Sequence, residues 1–312
     1  MTIYVAFSLT EDEQATLREA TLPADEWLMQ QHLPEDQRFE AFSRAEVAFG
    51  NVPLDWVEKS GRLRWIQLYS AGIDPYQQLR TDERSSPLAI TNLRNFFGQP
   101  VAETAVGGIL ALDRKLDELT RLQGRAQWVG GALRPQMRLL HGRSVLLLGA
   151  GAIGTAIRKL LEAFSCPVRV VSRSASLTLD DLDRLLPQAD ILVSCLPETN
   201  ETKGLLDARR LAMMKSTALL VNVGRGSLVD EAALIEALRG GKLGGAVLDV
   251  SQTEPLAADH PLWTCPNALL TQHTGGGYDA ENADKVRVFT ENLRRYRANE
   301  PLLNVVDFSR GY

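Results

Sequence analysis

The chain has 312 residues, room for about two domains that each bury a core of their own. Hydrophobic residues make up 45% and charged residues 23%, a globular balance that excludes a disordered, collagen-like or coiled-coil chain. With 34 Lys and Arg against 39 Asp and Glu the net charge is −5, so neither nucleic acid nor an anionic membrane is an expected partner.

The first hundred residues alternate short apolar runs with polar helical stretches. Residues 3–7, 47–49, 65–68 and 88–90 read as buried strands, and 11–20 and 54–58 as helices between them. That alternation predicts a parallel sheet covered on both faces. Pro100 opens a long helical pattern from Val101 to about Leu122, with Glu103 in its first turn and Gly124 as its stop. A loop at Gly130, Gly131 and Pro135 leads to a second series of strands at 144–148, 168–171, 191–193, 218–221, 246–248 and 269–270. Helices at 152–163, 179–186 and 231–239 separate them, so a complete dinucleotide-type sheet is inserted into the chain. The amphipathic stretch 281–297 and the tail from Pro301 to Val306 are expected to return to the first sheet.

Cys166, Cys195 and Cys265 form no CxxC pair, which argues against a disulfide framework or a structural zinc and for reduced thiols. No cluster of His, Cys, Asp and Glu has ligand spacing, so no metal is expected. Met1 to Thr10 has no basic region ahead of its apolar residues, and the glycine-rich apolar run 145–157 is 13 residues, too short to span a bilayer. A cytoplasmic location is therefore expected.

Gly149-Ala150-Gly151-Ala152-Ile153-Gly154 fits G-x-G-x-x-G between an apolar strand and a helix. In that setting the first glycine allows the tight turn, the second lets a pyrophosphate approach the backbone, and the third lets helix and strand pack closely. The helix N-terminus then offers its N–H groups to phosphate. The plain alternative is a tight strand-to-helix turn without a ligand. An acidic residue is expected about 20 positions on where the ligand carries a free ribose 2′-hydroxyl. Here Arg173 stands nineteen residues after Gly154, between Ser172 and Ser174. A guanidinium and hydroxyls suit a 2′-phosphate, so NADP is favoured over NAD, against the alternative of a surface arginine.

Three predicted strands each lead into a glycine- or proline-bounded loop with one strongly functional side chain: Arg225, Glu254 and His273. Loops at the carboxyl ends of parallel strands share one edge, so the three are expected to converge beside the phosphate turn. They suit carbonyl reduction. Hydride arriving at a carbonyl carbon leaves negative charge on oxygen, and histidine is the natural proton donor. A neighbouring carboxylate stabilises the imidazolium, which makes Glu254 the partner of His273. Arg225 can pair with a substrate carboxylate or polarise the carbonyl. Each has an ordinary alternative: a turn arginine, a solvated carboxylate before a proline, a structural histidine. His32, His141 and His260 lack comparable settings, although His260 precedes Pro261-Leu262-Trp263.

The residues together resemble the D-isomer-specific 2-hydroxyacid dehydrogenase family over nearly the whole chain. The resemblance is carried by Ser70-Ala71-Gly72-Ile73-Asp74, Val101-Ala102-Glu103-Thr104, the glycine turn, Leu196-Pro197-Glu198-Thr199, Val221 to Glu231, Asp249 to Leu256, and His273 to Gly277. The ending, Asn304-Val305-Val306-Asp307 through Gly311-Tyr312, and Ser172-Arg173-Ser174 are similar to the glyoxylate/hydroxypyruvate reductase A branch.

The resemblance implies an α/β fold of two doubly wound parallel-sheet domains. A Rossmann-type NAD(P)-binding domain, 100–277, is inserted into a flavodoxin-like substrate domain, 1–99 and 278–312. It implies Arg225, Glu254 and His273 as the catalytic set, and Ala71 and Gly72 as the loop whose amides hold a substrate carboxylate. It also implies cofactor contacts from Gly149, Gly151, Ala152, Ile153, Gly154, Leu196, Pro197 and Val223, with Asp249 at the nicotinamide carboxamide. A homodimer paired through the cofactor domain and its long first helix is the implied assembly.

Three features depart from the family pattern. Gln272 stands where proline commonly precedes the histidine. The carboxylate loop carries one glycine, Gly72, where many members have more, and Asn95-Phe96-Phe97-Gly98 is bulky. With Trp56, Trp65 and Tyr69 that segment is a candidate wall of the substrate pocket, Trp65 being the one best explained as core. The expected activity is NADPH-dependent reduction of a small 2-oxo acid, such as glyoxylate or hydroxypyruvate, to a 2-hydroxy acid. The alternatives are an NAD-dependent dehydrogenase working oxidatively and a dinucleotide-sensing binding protein without catalysis.

Overall fold

The computed structural model of the chain describes residues 1–79, 88–173 and 175–308. Ser174, Gly311 and Tyr312 lie outside the described residues. The chain divides into two compact units, Met1–Phe96 with Tyr278–Tyr312, and Phe97–Gly277.

The first unit has strands β1 (Thr2–Val5), β2 (Glu26–Met29), β3 (Val47–Phe49), β4 (Trp65–Gln67) and β5 (Ala89–Thr91). They form one parallel sheet in the order β2-β1-β3-β4-β5, the flavodoxin-like arrangement. Helices α1 (Glu11–Glu19), α2 (Arg38–Ser43) and α3 (Leu54–Lys59) lie between the strands in sequence. Strand β2 and helix α2 have no counterpart in the sequence expectation. β2 is an edge strand whose residues are mostly half-exposed, so its apolar pattern is weak.

The second unit opens with α4 (Gly98–Asp113) and α5 (Leu116–Gly124). The single long helix expected here is broken at Lys115, which adopts φ 57°. A tertiary contact lies beside the break. The Asp113 carboxylate at the end of α4 is buried, with Arg143 Nη1 at 2.6 and 2.5 Å from its two oxygens. No local signal announces that contact. Six strands follow: β6 (Val145–Leu148), β7 (Val168–Val171), β8 (Ile191–Ser194), β9 (Leu219–Asn222), β10 (Gly245–Leu248) and β11 (Ala268–Leu270). All pair in parallel in the order β11-β10-β9-β8-β6-β7. Strands β6, β8, β9 and β10 are buried along their whole length, because apolar clusters cover both faces of the sheet.

Helices α6 (Ala152–Ala163), α7 (Leu182–Leu185), α8 (Ala208–Met213) and α9 (Glu231–Arg239) lie between these strands in sequence. The stretch expected as one helix from 179 to 186 is shorter pieces: a 3-10 turn at Leu179–Asp181, α7, and a second 3-10 turn at Leu186–Gln188 that carries Pro187. The last helix, α10 (Glu281–Arg297), belongs to the first unit. Its Val286, Phe289 and Leu293 join Ile3, Val47, Phe49 and Trp65 in that unit's core.

Trp65 is core, as expected, and Trp56, a candidate for the pocket wall, is half-buried against the core of the first unit instead. Trp65 is fully buried, stacks on Phe289 at 5.3 Å and donates its indole N–H to Thr91 Oγ1 at 2.8 Å. Trp56 packs on Tyr4, Phe39 and Phe42. Trp65 on β4 and Trp56 on α3 are each taken up by packing against neighbouring apolar residues.

Candidate active site

The second sheet reverses direction of succession at β6, with β7 on one side and β8 on the other. Ligands of open parallel sheets bind at such a switch point, outside the carboxyl ends of the strands. The loops leaving those ends touch one another in sequence along the edge. Gly149, at φ 113°, turns the chain sharply after β6. A Cβ on it would meet Cys195 Sγ, in the loop after β8, at 2.7 Å. Burial pushes the Cys195 thiol up to about 12. Next along the edge, a Cβ on Gly224 would meet Leu196 O at 2.5 Å, and one on Gly226 would meet the Ser251 carbonyl at 2.0 Å. These backbone approaches align the phosphate turn, the Arg225 loop and the Glu254 loop.

The glycine turn fits a dinucleotide pyrophosphate. A Cβ at Gly151 would project into open space, with nothing within 4 Å. Gly151 itself begins α6, and no side chain caps that helix start, so its first-turn amides are not taken by a capping side chain. Gly154 is buried against the carbonyl of Gly149. A cavity of about 390 Å³ is lined by Gly149, Ala150, Gly154, Thr155, Ser172 and Ala175 among others. Ala152 and Ile153 form the first turn of α6, half-buried. Ser172 follows β7. Arg173 is exposed and its Nη2 lies 3.1 Å from Glu201 Oε2, also exposed. Leu196 is half-buried and Pro197 exposed, the Pro197 carbonyl accepting from Thr202 Oγ1 at 2.8 Å. Val223 is buried among Val221 and Val193, so its side chain serves the core.

His273 and Glu254 meet directly. His273 Nδ1 is 2.6 Å from Glu254 Oε2, and both side chains are partly exposed. Glu254 Oε1 accepts the Ser251 backbone N–H at 3.0 Å, so each carboxylate oxygen has a partner. Two consecutive residues in the left-handed region shape the histidine loop, Gln272 at φ 53° and His273 at φ 56°. Proline cannot adopt a positive φ, so this loop conformation requires a residue other than proline at 272.

Asp249 is the organiser of that loop. It is 5% exposed, and its Oδ1 accepts from Thr271 Oγ1 at 2.6 Å and from the Gly275 N–H at 3.1 Å. Its backbone carbonyl accepts the His273 N–H at 2.5 Å. Thr104 of α4 adds a hydroxyl bond to the Gly275 carbonyl at 3.1 Å. Arg225 lies just past β9, its Nη1 donating to Gly224 O at 2.8 Å. The buried Asn222 fixes its loop, donating to Arg225 O at 2.9 Å and accepting from Gly224 N–H at 3.2 Å. Sequence reading missed Asn222 and Thr271. A polar residue closing an all-apolar strand was the available signal for the first.

In the first unit, the loop after β4 holds Ala71 and Gly72. The carbonyls of Ser70, Ala71 and Gly72 accept from Leu93 N–H at 2.9 Å, Asn92 Nδ2 at 2.8 Å and Ser70 Oγ at 2.8 Å. The buried Asn92, and Asn51, which donates to Ser70 Oγ at 3.0 Å, therefore fix this loop. Among the described residues no group of three or more His, Cys, Asp or Glu is arranged to hold a metal ion. No helix among them is long and apolar enough to cross a membrane.

A parallel dinucleotide-binding sheet with a phosphate turn and a His–Glu pair on one edge defines an NAD(P)-dependent oxidoreductase. Residues 106–275 match the family model for the D-isomer specific 2-hydroxyacid dehydrogenase NAD binding domain. The chain belongs to that family. It is 33% identical over 249 residues to glyoxylate/hydroxypyruvate reductase A HPR2 of Arabidopsis thaliana, covering 78% of each chain. It is 32% identical over 268 residues to glyoxylate/hydroxypyruvate reductase B of Pectobacterium carotovorum, covering 83% of each. Among solved structures it resembles a family protein from Aeromonas salmonicida, with TM-score 0.85, 32% identity and 98% and 99% of the two chains covered. A family enzyme from Xanthobacter autotrophicus Py2, in complex with NADPH and MES, matches with TM-score 0.79, 29% identity and 100% and 99% coverage.

Proposed function

We propose that the protein is an NADPH-preferring reductase of small 2-oxo acids of the glyoxylate and hydroxypyruvate kind, in the reductase A branch of its family. The observation that carries the reading is the 2.6 Å contact between His273 Nδ1 and Glu254 Oε2 on the edge that also carries the glycine turn. The Arabidopsis relative named as a reductase A supports the branch, although a reductase B matches at similar identity.

A bound nicotinamide supplies hydride for the carbonyl carbon. The protein's residues do the rest. With Nδ1 donated to Glu254, the protonated His273 has Nε2–H left to give to the carbonyl oxygen as negative charge develops there. Glu254 fixes the ring and stabilises the imidazolium before the proton leaves. Arg225 pairs its planar guanidinium with the substrate carboxylate or polarises the carbonyl. The Ala71–Gly72 amides are the second holder of the carboxylate. Gly149, Gly151, Ala152, Ile153 and Gly154 would hold the pyrophosphate, Ser172, Arg173 and Ser174 the 2′-phosphate, Leu196, Pro197 and Val223 the rest of the dinucleotide, and Asp249 the nicotinamide carboxamide.

The NADPH complex of the Xanthobacter relative supports the cofactor preference. One observation favours a second reading, in which NADH is the working cofactor: Arg173 already pairs with Glu201 and would have to leave it for a phosphate. Initial rates on glyoxylate and hydroxypyruvate with each cofactor test both. NADPH should give the higher kcat/KM, and a clear NADH preference supports the second reading. Tight NADPH binding with no turnover of any 2-oxo acid defeats both and leaves a sensor.

We also propose a homodimer paired through the α4–α5 side of the cofactor unit. Helix α5 has no buried residue, and Leu116 is 50%, Leu139 69% and Trp128 97% exposed. Trp128→Asp should convert a dimer to monomer in sedimentation; a monomeric wild type rejects the assembly.

A further inference from the structure

The loop that carries Glu254 is pinned at the peptide unit that joins Ser251 to Gln252. On one side Gly226, next to Arg225, packs against it so closely that a Cβ there would lie 2.0 Å from Ser251 C and O and 2.5 Å from Gln252 N. On the other, Glu231 at the start of α9 accepts the Gln252 N–H on Oε1 at 2.6 Å. Gln252 Nε2 adds a bond to the Val229 carbonyl at 2.6 Å. The neighbouring amide, Ser251 N–H, is the one that binds Glu254 Oε1. Two carboxylates thus hold two consecutive amides, those of the Val250–Ser251 and Ser251–Gln252 peptides, which meet at the Ser251 Cα, so the setting of one peptide constrains the other and with it where Glu254 can reach.

Glu231 is not spent on the helix it begins. Asp230 caps α9 by accepting the Ala233 N–H at 3.0 Å. The Glu231 side chain is only 11% exposed, and its second oxygen lies 3.5 Å from His260 Nε2. His260 Nδ1 in turn accepts the Leu262 N–H at 3.3 Å. Burying a carboxylate at this price in solvation makes sense where its acceptors are used.

We propose that Glu231 is a positioning residue for the reaction: it clamps the Ser251–Gln252 peptide against Gly226 and so aims Glu254 at His273. The proposal rests on the reading of His273 and Glu254 given above. Without Glu231 the peptide loses an acceptor, Glu254 disengages, and the His273 ring loses its fixed orientation. A displacement of about 1 Å at such a site costs on the order of 100-fold in rate.

The test uses the purified full-length protein with Glu231→Ala, Glu231→Asp and Glu231→Gln, and Glu254→Gln as reference. Two readouts are taken: steady-state kinetics on glyoxylate with NADPH, and the His273 ring tautomer from long-range proton–nitrogen NMR at alkaline pH. The chain has four histidines, so assignment by single substitution is direct. Glu231→Ala should lower kcat by about 10- to 100-fold with NADPH affinity unchanged. The ring should shift from the Nδ1–H form that Glu254 fixes toward the Nε2–H form, as in Glu254→Gln. Glu231→Asp, which keeps the charge but shortens the reach, should show an intermediate shift, and it serves if the alanine variant does not fold. Glu231→Gln retains an acceptor oxygen and should recover most of the rate and the wild-type tautomer. A wild-type tautomer in both Glu231→Ala and Glu231→Asp overturns the proposal, whatever the rate does. If the wild type reduces no 2-oxo acid but the tautomer follows Glu231, the functional reading fails and the positioning role stands.

Discussion

Glu254 approaches His273 from nineteen residues away in sequence, and its two carboxylate oxygens are divided between different tasks. Oε2 meets the imidazole Nδ1 at 2.6 Å, while Oε1 is anchored by the Ser251 N–H at 3.0 Å. The anchored oxygen limits how the carboxylate can turn, so the ring is held by a group that is itself held. His273→Ala should therefore lower kcat by about 10²–10⁴-fold, the range of general acid catalysis, with NADPH binding retained. Glu254→Gln keeps the size but loses the charge and should fall between that variant and the wild type. Single-turnover rates together with cofactor fluorescence titration check this; wild-type turnover in His273→Ala removes the residue as the acid.

The backbone under the histidine carries its own prediction. Gln272 and His273 are both left-handed, at φ 53° and 56°. Left-handed conformations cost L-residues about 1–2 kcal/mol each, and the Asp249 contacts to the His273 N–H, Thr271 and Gly275 maintain them. Gln272→Pro forces φ to about −65° and should dismantle the loop, with turnover lost and stability lowered by about 2–3 kcal/mol. Thermal melting and glyoxylate reduction report the two effects. A proline variant with full activity would show that the loop reaches its geometry another way.

Arg173 and Glu201 make a prediction about cofactor choice. The pair is 3.1 Å apart and both side chains are 65% exposed, so the ion pair itself is worth little. Arg173→Ala should weaken NADPH by about 10-fold or more and NADH hardly at all. Glu201→Gln releases the guanidinium and should tighten NADPH. Dissociation constants for both cofactors, measured at two salt concentrations, decide it. Equal weakening of NADPH and NADH in Arg173→Ala would mean that the guanidinium does not touch the 2′-phosphate.

Asp190 links three strands of the cofactor sheet and gives stability a pH dependence. Burial acts to raise its carboxyl, but the Lys215 ammonium and the Ser144 N–H and hydroxyl outweigh burial and hold it at about 2. The unfolded chain binds the proton more readily, with a carboxyl near 3.9. Stability from this group is therefore complete above about pH 4 and lost as pH falls through about 2. Asp190→Asn should cost on the order of 1 kcal/mol at neutral pH, discounted because the carboxylate is 30% exposed. The difference from wild type should shrink over that acid window. Urea unfolding at several pH values measures it, and a difference independent of pH would rule out the ion pair as its source.

Strands buried on both faces were readable because every position is apolar, as in Val145-Leu146-Leu147-Leu148. Helices with one apolar stripe, such as α6, α9 and α10, were readable from their period. The edge strand β2 and the short helix α8 were not, because half-exposed or brief elements leave little pattern. The break at Lys115 was hidden for another reason: a single left-handed residue interrupts the helix without a glycine or proline to mark it. Trp56 looked available for a pocket because composition does not say which face of an element is filled.

Chain order and residue type alone determined the parallel architecture, the phosphate turn and the choice of Arg225, Glu254 and His273 as candidates, because strand-end loops of a parallel sheet must open on one edge. Only the folded chain decided which atoms meet there: Nδ1 on Oε2, the left-handed Gln272, and Glu231 on the Gln252 amide. Those are contacts between segments far apart in sequence, set by how neighbouring strands stack their loops, and local propensity carries no record of them.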